Sequence, residues 1–115
     1  MSVVAFASGT VTPTVGQEVY LANPNLSGTY TFHIDLSNMA SGDTVELRIY
    51  STILSGGTPK CTYYQSFSDA PSSNNIVQIS VPVSNDLNDA NSLRFSVKQT
   101  AGTSRSFAWK VLKYG

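Results

Sequence analysis

Residues Thr29–Leu36 read TYTFHIDL, an uninterrupted alternation of polar and apolar side chains. A period of two over this length is typical of a β-strand with one buried face. The face expected to be buried carries Tyr30, Phe32, Ile34 and Leu36. The opposite face carries Thr29, Thr31, His33 and Asp35. This segment therefore predicts a strand that packs on a core.

The same alternation recurs on both sides of this strand. The further predicted strands are Val3–Ala7, Gln17–Leu21, Thr44–Ile53, Lys60–Phe67, Ile76–Val83, Ser92–Gln99 and Arg105–Lys113. Glycine, proline and asparagine separate them at intervals typical of antiparallel sandwiches and barrels. The sequence thus predicts an all-β, single-domain antiparallel β-sandwich, immunoglobulin-like or jelly-roll-like, with seven or eight short strands.

The predicted core follows from the apolar side of each strand. Its members are Phe32, Ile34, Val45, Leu47, Ile49, Val77, Ile79, Val81, Leu93, Phe95, Val97, Phe107, Trp109 and Val111. Ser41–Asp43 supplies turn residues, so the strands on either side of it are expected to form a hairpin. Pro82 cannot donate to a ladder, which predicts an edge strand over Ile76–Val83. Cys61 is expected to be a small buried hydrophobe.

Charge and length exclude several classes of protein. The chain of 115 residues has 7 Lys and Arg against 7 Asp and Glu, and charged residues make up 12%. A neutral domain lacks the basic patch that neutralises phosphates, so no nucleic-acid partner is expected. No apolar run is long enough to span a bilayer. Met1–Ser8 lacks the basic residue of a secretory signal, and a lone cysteine fits synthesis in a reducing cytoplasm.

The first residues are predicted to be an N-terminal arm, residues 1–16, ahead of a sandwich over residues 17–115. Val3, Val4 and Phe6 lie outside the predicted core and are candidate partner-binding residues. The arm could add a strand to a neighbour's sheet edge, or it could be a disordered tail. On the first alternative, deleting Ser2–Val15 would abolish assembly and leave the sandwich folded.

No residue pattern predicts catalysis. The single histidine, His33, lies two residues before Asp35 on the outward face, but no GxSxG motif accompanies them. One cysteine and one histidine do not make a zinc site. The loop Asn85–Asn91 offers oxygen ligands for calcium but lacks the glycine and glutamate of a calcium loop. We therefore expect no enzyme activity, no metal and no cofactor.

Two tyrosines are the remaining candidates for a binding site. Tyr50 is expected to face outward. Either face of Lys60–Phe67 could be the inward one, because both carry an aromatic residue, and Tyr64 is a candidate for an outward position among serines and threonines. A tyrosine ring with its hydroxyl suits a polar contact with protein or sugar. The alternative is that both rings cover the sheet without any partner.

Three runs in the second half of the chain carry a resemblance: GDTVELRIY (Gly42–Tyr50), LSGGTPK (Leu54–Lys60) and VKQTAGTSRSFAWKVLK (Val97–Lys113). Over residues 28–113, about three-quarters of the chain, the sequence resembles small structural proteins of tailed bacteriophages. The resemblance implies a virion component, either a capsid decoration (cement) protein or a head or tail accessory. It also implies the major capsid protein or another virion protein as partner, a homo-oligomer with a trimer favoured, and location in the virion.

A second interpretation is a carbohydrate- or receptor-binding module of a phage fibre or tail. It would use Tyr50 and Tyr64 as an aromatic platform, with Asn and Asp side chains of the loops as hydrogen-bonding groups. A cement protein is expected to bury a large protein interface, whereas a sugar binder is expected to have measurable glycan affinity.

Overall fold

The computed structural model describes residues 2–115, which form nine β-strands. The strands are β1 (Val3–Val11), β2 (Glu18–Ala22), β3 (Gly28–Asp35), β4 (Thr44–Ser51), β5 (Lys60–Ser68), β6 (Val77–Ile79), β7 (Val83–Asn85), β8 (Leu93–Ala101) and β9 (Phe107–Tyr114). They pair antiparallel in two sheets, so the predicted all-β sandwich is confirmed.

Each sheet has a simple strand order. The five-stranded sheet runs β1-β9-β3-β6, and β7 also pairs with β3. The four-stranded sheet runs β2-β8-β4-β5. The chain passes from one sheet to the other at every connection except β4–β5 and β6–β7, so most neighbours in a sheet are distant in sequence.

The core lies between the two sheets and is built from the alternating strands. In β3, Tyr30, Phe32 and Ile34 are fully buried, as the sequence predicts. The inward residues of β4, β8 and β9 meet them across the sandwich, and the Phe32 and Phe95 rings pack edge to face at 5.7 Å. Burying each such side chain contributes about 1.5–3 kcal/mol.

The predicted hairpin between β3 and β4 is wrong. β3 pairs with β9, β6 and β7, whereas β4 pairs with β8 and β5 in the opposite sheet. The residues between β3 and β4 therefore pass from one sheet to the other, and Met39 among them is buried. Turn residues end a strand in the same way whether the next strand pairs with it or crosses over.

In Ile76–Val83, alternation predicts that Val77, Ile79, Val81 and Val83 face the core. This prediction is wrong for the first three. Val77 and Ile79 lie directly opposite Asp35 and His33, which point outward, so they point outward too. They are 56% and 57% exposed, and Val81 is 57% exposed. The segment does lie at a sheet edge, as Pro82 predicts, and it divides into β6 and β7.

Two further expectations fail at exposed strands. Cys61 is exposed on β5, because that strand is the outer edge of its sheet and covers little of the core. The predicted arm is, from Val3 to Val11, the edge strand β1, which pairs with β9 along its length. Met1, which the arm also included, lies outside the described residues.

A buried carboxylate fixes the connections at one end of the sandwich. Asp43 is 1% exposed and accepts hydrogen bonds from the backbone N–H groups of Ala40 and Thr103. Its third partner, in the same connection as Thr103, is Arg105, whose Nε lies 2.8 Å from Asp43 Oδ2. A side chain on Gly102 would overlap the carboxylate, since its Cβ would lie 2.0 Å from Oδ1. This corner joins the β3–β4 and β8–β9 connections.

Candidate functional site

The outer face of the four-stranded sheet carries three tyrosines and five charged side chains. We call it the Tyr–Arg face; it consists of Glu18, Tyr20, Glu46, Arg48, Tyr50, Tyr64, Arg94, Ser96 and Lys98. These residues point outward because they alternate with the buried Val45, Leu47 and Ile49 of β4 and with their inward-facing partners on β8. Strand pairing brings side chains from four strands onto one surface.

Glu18 links three strands at the centre of this face. Its Oε2 accepts a hydrogen bond of 2.6 Å from the Tyr50 hydroxyl and a second one from the Ser96 hydroxyl. Partial burial by itself raises the pKa of Glu18, but these two donors and the nearby Arg48 lower it below the ordinary value. Burial and the bond to Glu18 raise the pKa of Tyr50. The carboxylate therefore stays charged and holds the Tyr50 ring in one position.

A second cluster forms where β4 meets the edge strand β5. The Tyr64 hydroxyl donates to Glu46 Oε2 at 2.7 Å, and Arg48 pairs with Glu46 Oε1 at 2.8 Å. The Arg48 guanidinium also lies 5.0 Å from the centre of the Tyr64 ring. The hydrogen bond from Tyr64 is the main cause of the lowered pKa of Glu46. Arg48 and Tyr64 are thus both fixed by one carboxylate.

The third cluster is at the β2 edge. The Arg94 guanidinium stacks 3.8 Å from the centre of the Tyr20 ring, and its Nε donates to Asn23 Oδ1 at 3.3 Å. The Tyr20 and Tyr50 rings are 6.0 Å apart, which joins this cluster to the one around Glu18. Tyr20 is 42% exposed and Tyr64 50% exposed, so the face offers apolar area to a partner.

The five predicted partner-binding residues do not form one site. Tyr50 and Tyr64 lie on the Tyr–Arg face, on adjacent strands. Val3 lies opposite Tyr114 and points to the outside of the other sheet, whereas Val4 lies opposite Lys113 and is half exposed. Phe6 packs edge to face on the Tyr30 ring at 5.7 Å.

Sequence reasoning missed two members of the Tyr–Arg face as binding residues. Tyr20 alternates with Val19 and Leu21, which pack against the core, and this alternation was the available signal. Arg94 is predicted to point outward, but its stacking on Tyr20 depends on the pairing of β2 with β8, which the sequence does not indicate.

The loop Asn85–Asn91, whose oxygen atoms are potential calcium ligands, forms hydrogen bonds within the protein. The buried Asn85 amide donates to the carbonyl groups of Leu26 and Leu87. Asn88 Oδ1 accepts from the Ser27 N–H, and Asp89 Oδ2 accepts from the Ser55 hydroxyl. Within residues 2–115, no group of three or more His, Cys, Asp or Glu side chains could hold a metal ion.

Comparisons with protein-family models, with curated proteins and with solved structures identify no match to this chain. In the described part of the chain, no helix is long and apolar enough to cross a membrane. The arrangement of the Tyr–Arg face itself is therefore the basis for the function proposed below.

Proposed function

We propose that this chain is a non-enzymatic structural protein of a bacteriophage virion, a decoration (cement) protein that binds the outer capsid surface through its Tyr–Arg face and stabilises the shell. The observation that carries the contact is the grouping of three tyrosines and two arginines on one face of a sheet. Tyrosine and arginine are the residue types enriched at the centres of protein interfaces. The phage assignment draws on the sequence resemblance.

The hydrogen bonds within the face support a protein partner. Glu18 and Glu46 hold Tyr50 and Tyr64 in place, so little side-chain freedom is lost on binding. Most of the polar groups of the face already have partners, and a surface of this kind suits complementary packing against another protein.

The same geometry disfavours the sugar-binding alternative at this face. A sugar ring stacks on an open aromatic face, but the Arg48 guanidinium lies over one face of the Tyr64 ring, 5.0 Å from its centre. The Tyr50 hydroxyl, which would bond to a sugar, is committed to Glu18. A glycan-binding screen distinguishes the two proposals, since a decoration protein is expected to give no signal.

The test uses particles of the phage that encodes the chain. We expect the protein in purified virions at many copies per particle, after synthesis in the host cytoplasm. Purified protein is then added to particles that lack it. Tyr20→Ala and Arg94→Ala are expected to weaken binding about tenfold or more, as interface centres do.

The matched control is Thr10→Ala, an exposed change on the other sheet, which is expected to leave capsid binding unaltered. Absence of the chain from virions would overturn the virion assignment. Undiminished binding by the Tyr20 and Arg94 variants, with folding intact, would overturn the role of the face. The resemblance also implies self-association, with a trimer favoured, and the mass of the protein in solution distinguishes that trimer from a two-fold pair.

A further inference from the structure

The outer face of the five-stranded sheet differs in character from the Tyr–Arg face. We call it the neutral face; its central residues are His33, Asp35, Val77, Ile79, Lys110 and Leu112. The ladders place His33 beside both Lys110 and Ile79, and Asp35 beside Val77. Apolar side chains therefore lie next to one acid and one lysine on the same surface.

The charges of this face are few and lack ionic partners. Across the outward positions of β1, β3, β6, β7 and β9, Asp35 is the one acidic residue and Lys110 the one lysine. Neither takes part in an ion pair within residues 2–115. Asp35 is on β3 and Lys110 is on the neighbouring strand β9. Lys110 lies opposite His33, which is two residues before Asp35, so Asp35 and Lys110 are diagonal neighbours.

From these observations we propose that the neutral face is the contact between two copies of this chain, related by a two-fold axis. An axis in the plane of the contact, running between Asp35 and Lys110, places Lys110 of each copy against Asp35 of the other. In a two-fold contact the same surface of both copies is buried. The acid of each copy can therefore pair with the lysine of the other.

The apolar residues fit the same arrangement. Val77 and Ile79 are more than half exposed on the neutral face, which is unusual for adjacent large side chains at a sheet edge. The two-fold contact would cover them between the two sheets. The longer dimensions of the molecule, 41 and 29 Å, give a face large enough for the roughly 800 Å² per partner that a stable interface buries.

This inference does not rest on the capsid assignment, and it uses the opposite sheet from the Tyr–Arg face. A pair formed through the neutral face leaves both Tyr–Arg faces pointing away from the contact. Variants of the two faces therefore test the two proposals separately.

The first measurement is the mass in solution by sedimentation equilibrium across a wide concentration range. We expect a reversible equilibrium between 12.3 kDa and twice that mass. Ile79→Lys is expected to weaken association about tenfold or more, because it buries an unpaired charge at the contact. Tyr20→Ala, on the opposite sheet, is expected to leave it unchanged.

The decisive test is charge reversal. Lys110→Glu and Asp35→Lys should each weaken self-association about tenfold or more, since like charges then meet across the axis. An equimolar mixture of the two variants should associate again, because every cross-axis pair in a mixed dimer is attractive. Lys60→Glu and Asp86→Lys are the matched controls at exposed positions elsewhere.

Recovery in the mixture also excludes misfolding as the reason why each variant fails alone. A monomer at all concentrations, or a mass three times that of the chain, would overturn the proposal. A dimer whose affinity is the same in the variants and in the mixture would also overturn it.

Discussion

Asp43 is the residue on which the most local structure depends. One buried carboxylate bonds to two backbone N–H groups and to Arg105, so it holds two chain connections against each other. The hydrogen bond from the Ala40 N–H is the main cause of its lowered pKa, and Arg105 adds to that effect. Gly102 is required beside it, because its φ is +89° and a Cβ would collide with the carboxylate.

Removing this carboxylate should therefore destabilise the fold more than any other change of an acidic residue. We expect Asp43→Ala to lower the melting temperature by about 10 °C or more, because buried donors lose their acceptor. Gly102→Ala should have an effect of the same sign. Thermal unfolding followed by circular dichroism measures both. Asp86→Ala, at an exposed loop position, is the control, and an equal shift there would contradict the argument.

At the scale of the strand, β6 illustrates what alternation does and does not determine. The alternating valines and isoleucines correctly indicate a strand, but alternation alone gives either face to the core. The pairing with β3 determines which face of β6 is outward, because Ile79 lies opposite the outward-facing His33. Val83, beyond the break between β6 and β7, lies opposite the buried Tyr30 and is 8% exposed.

Because Val83 is buried and Ile79 is exposed, two similar substitutions should differ in their effect on stability. Val83→Thr should destabilise the protein by about 1–2 kcal/mol, because it buries a hydroxyl in the core. Ile79→Thr should change the free energy of unfolding by less than about 0.5 kcal/mol, as exposed substitutions do. Urea denaturation at a concentration where the protein is monomeric measures both. If Ile79 faced the core, as alternation alone predicts, Ile79→Thr would destabilise the protein as much as Val83→Thr or more.

The edge strand β1 supports a similar comparison. Phe6 packs on Tyr30 and points inward, whereas Val3 points outward and is 53% exposed. We expect Phe6→Ala to destabilise the domain by about 2 kcal/mol and Val3→Ala by less than about 0.5 kcal/mol. Deleting residues 2–15 should then unfold the sandwich, contrary to the behaviour of an arm. A deletion variant with native circular dichroism and an unchanged melting temperature would contradict this expectation.

The sequence predicts the long, strictly alternating strands well, because the burial of β3, β4, β8 and β9 follows their own apolar residues. It fails where the outcome depends on a partner strand: the β3–β4 crossing, the face of β6 and the exposure of Cys61. The same holds for the candidate site. Tyr50 could be placed outward from alternation. Alternation leaves the face of Tyr64 open, because both faces of β5 carry an aromatic residue, and the stacking of Arg94 on Tyr20 depends on the strand order.

For the whole molecule, the sandwich separates two surfaces of different chemistry on opposite sides of one core. On the Tyr–Arg face, Arg48 pairs with Glu46, and Glu18 and Arg94 contact tyrosines. The neutral face carries exposed apolar groups and a single acid and lysine. A domain of this kind can self-associate on one side and bind a different partner on the other, and the two proposals together require that separation.

The titrating groups of both faces and of the Asp43 corner also determine how stability depends on pH. Burial, with help from Lys110, lowers the pKa of His33 below its ordinary value of 6.5. As the pH falls through that value the unfolded chain takes up a proton first, so stability decreases. Asp35 on the same strand and Lys110 on β9 are the charges near this ring, and Ile79 flanks it from β6.

The carboxylates add a second decrease at lower pH. Glu18, Glu46 and Asp43 all have a lowered pKa in the folded state, so their stabilisation is present above about 4.5 and is lost as the pH falls toward their folded values. We therefore expect the free energy of unfolding of the monomer to decrease in two steps between pH 8 and pH 3, measured by urea denaturation. His33→Gln should remove the upper step alone and Glu18→Gln should reduce the lower one. A stability that rises as the pH falls would contradict the assignment, because every one of these shifts favours the same sign.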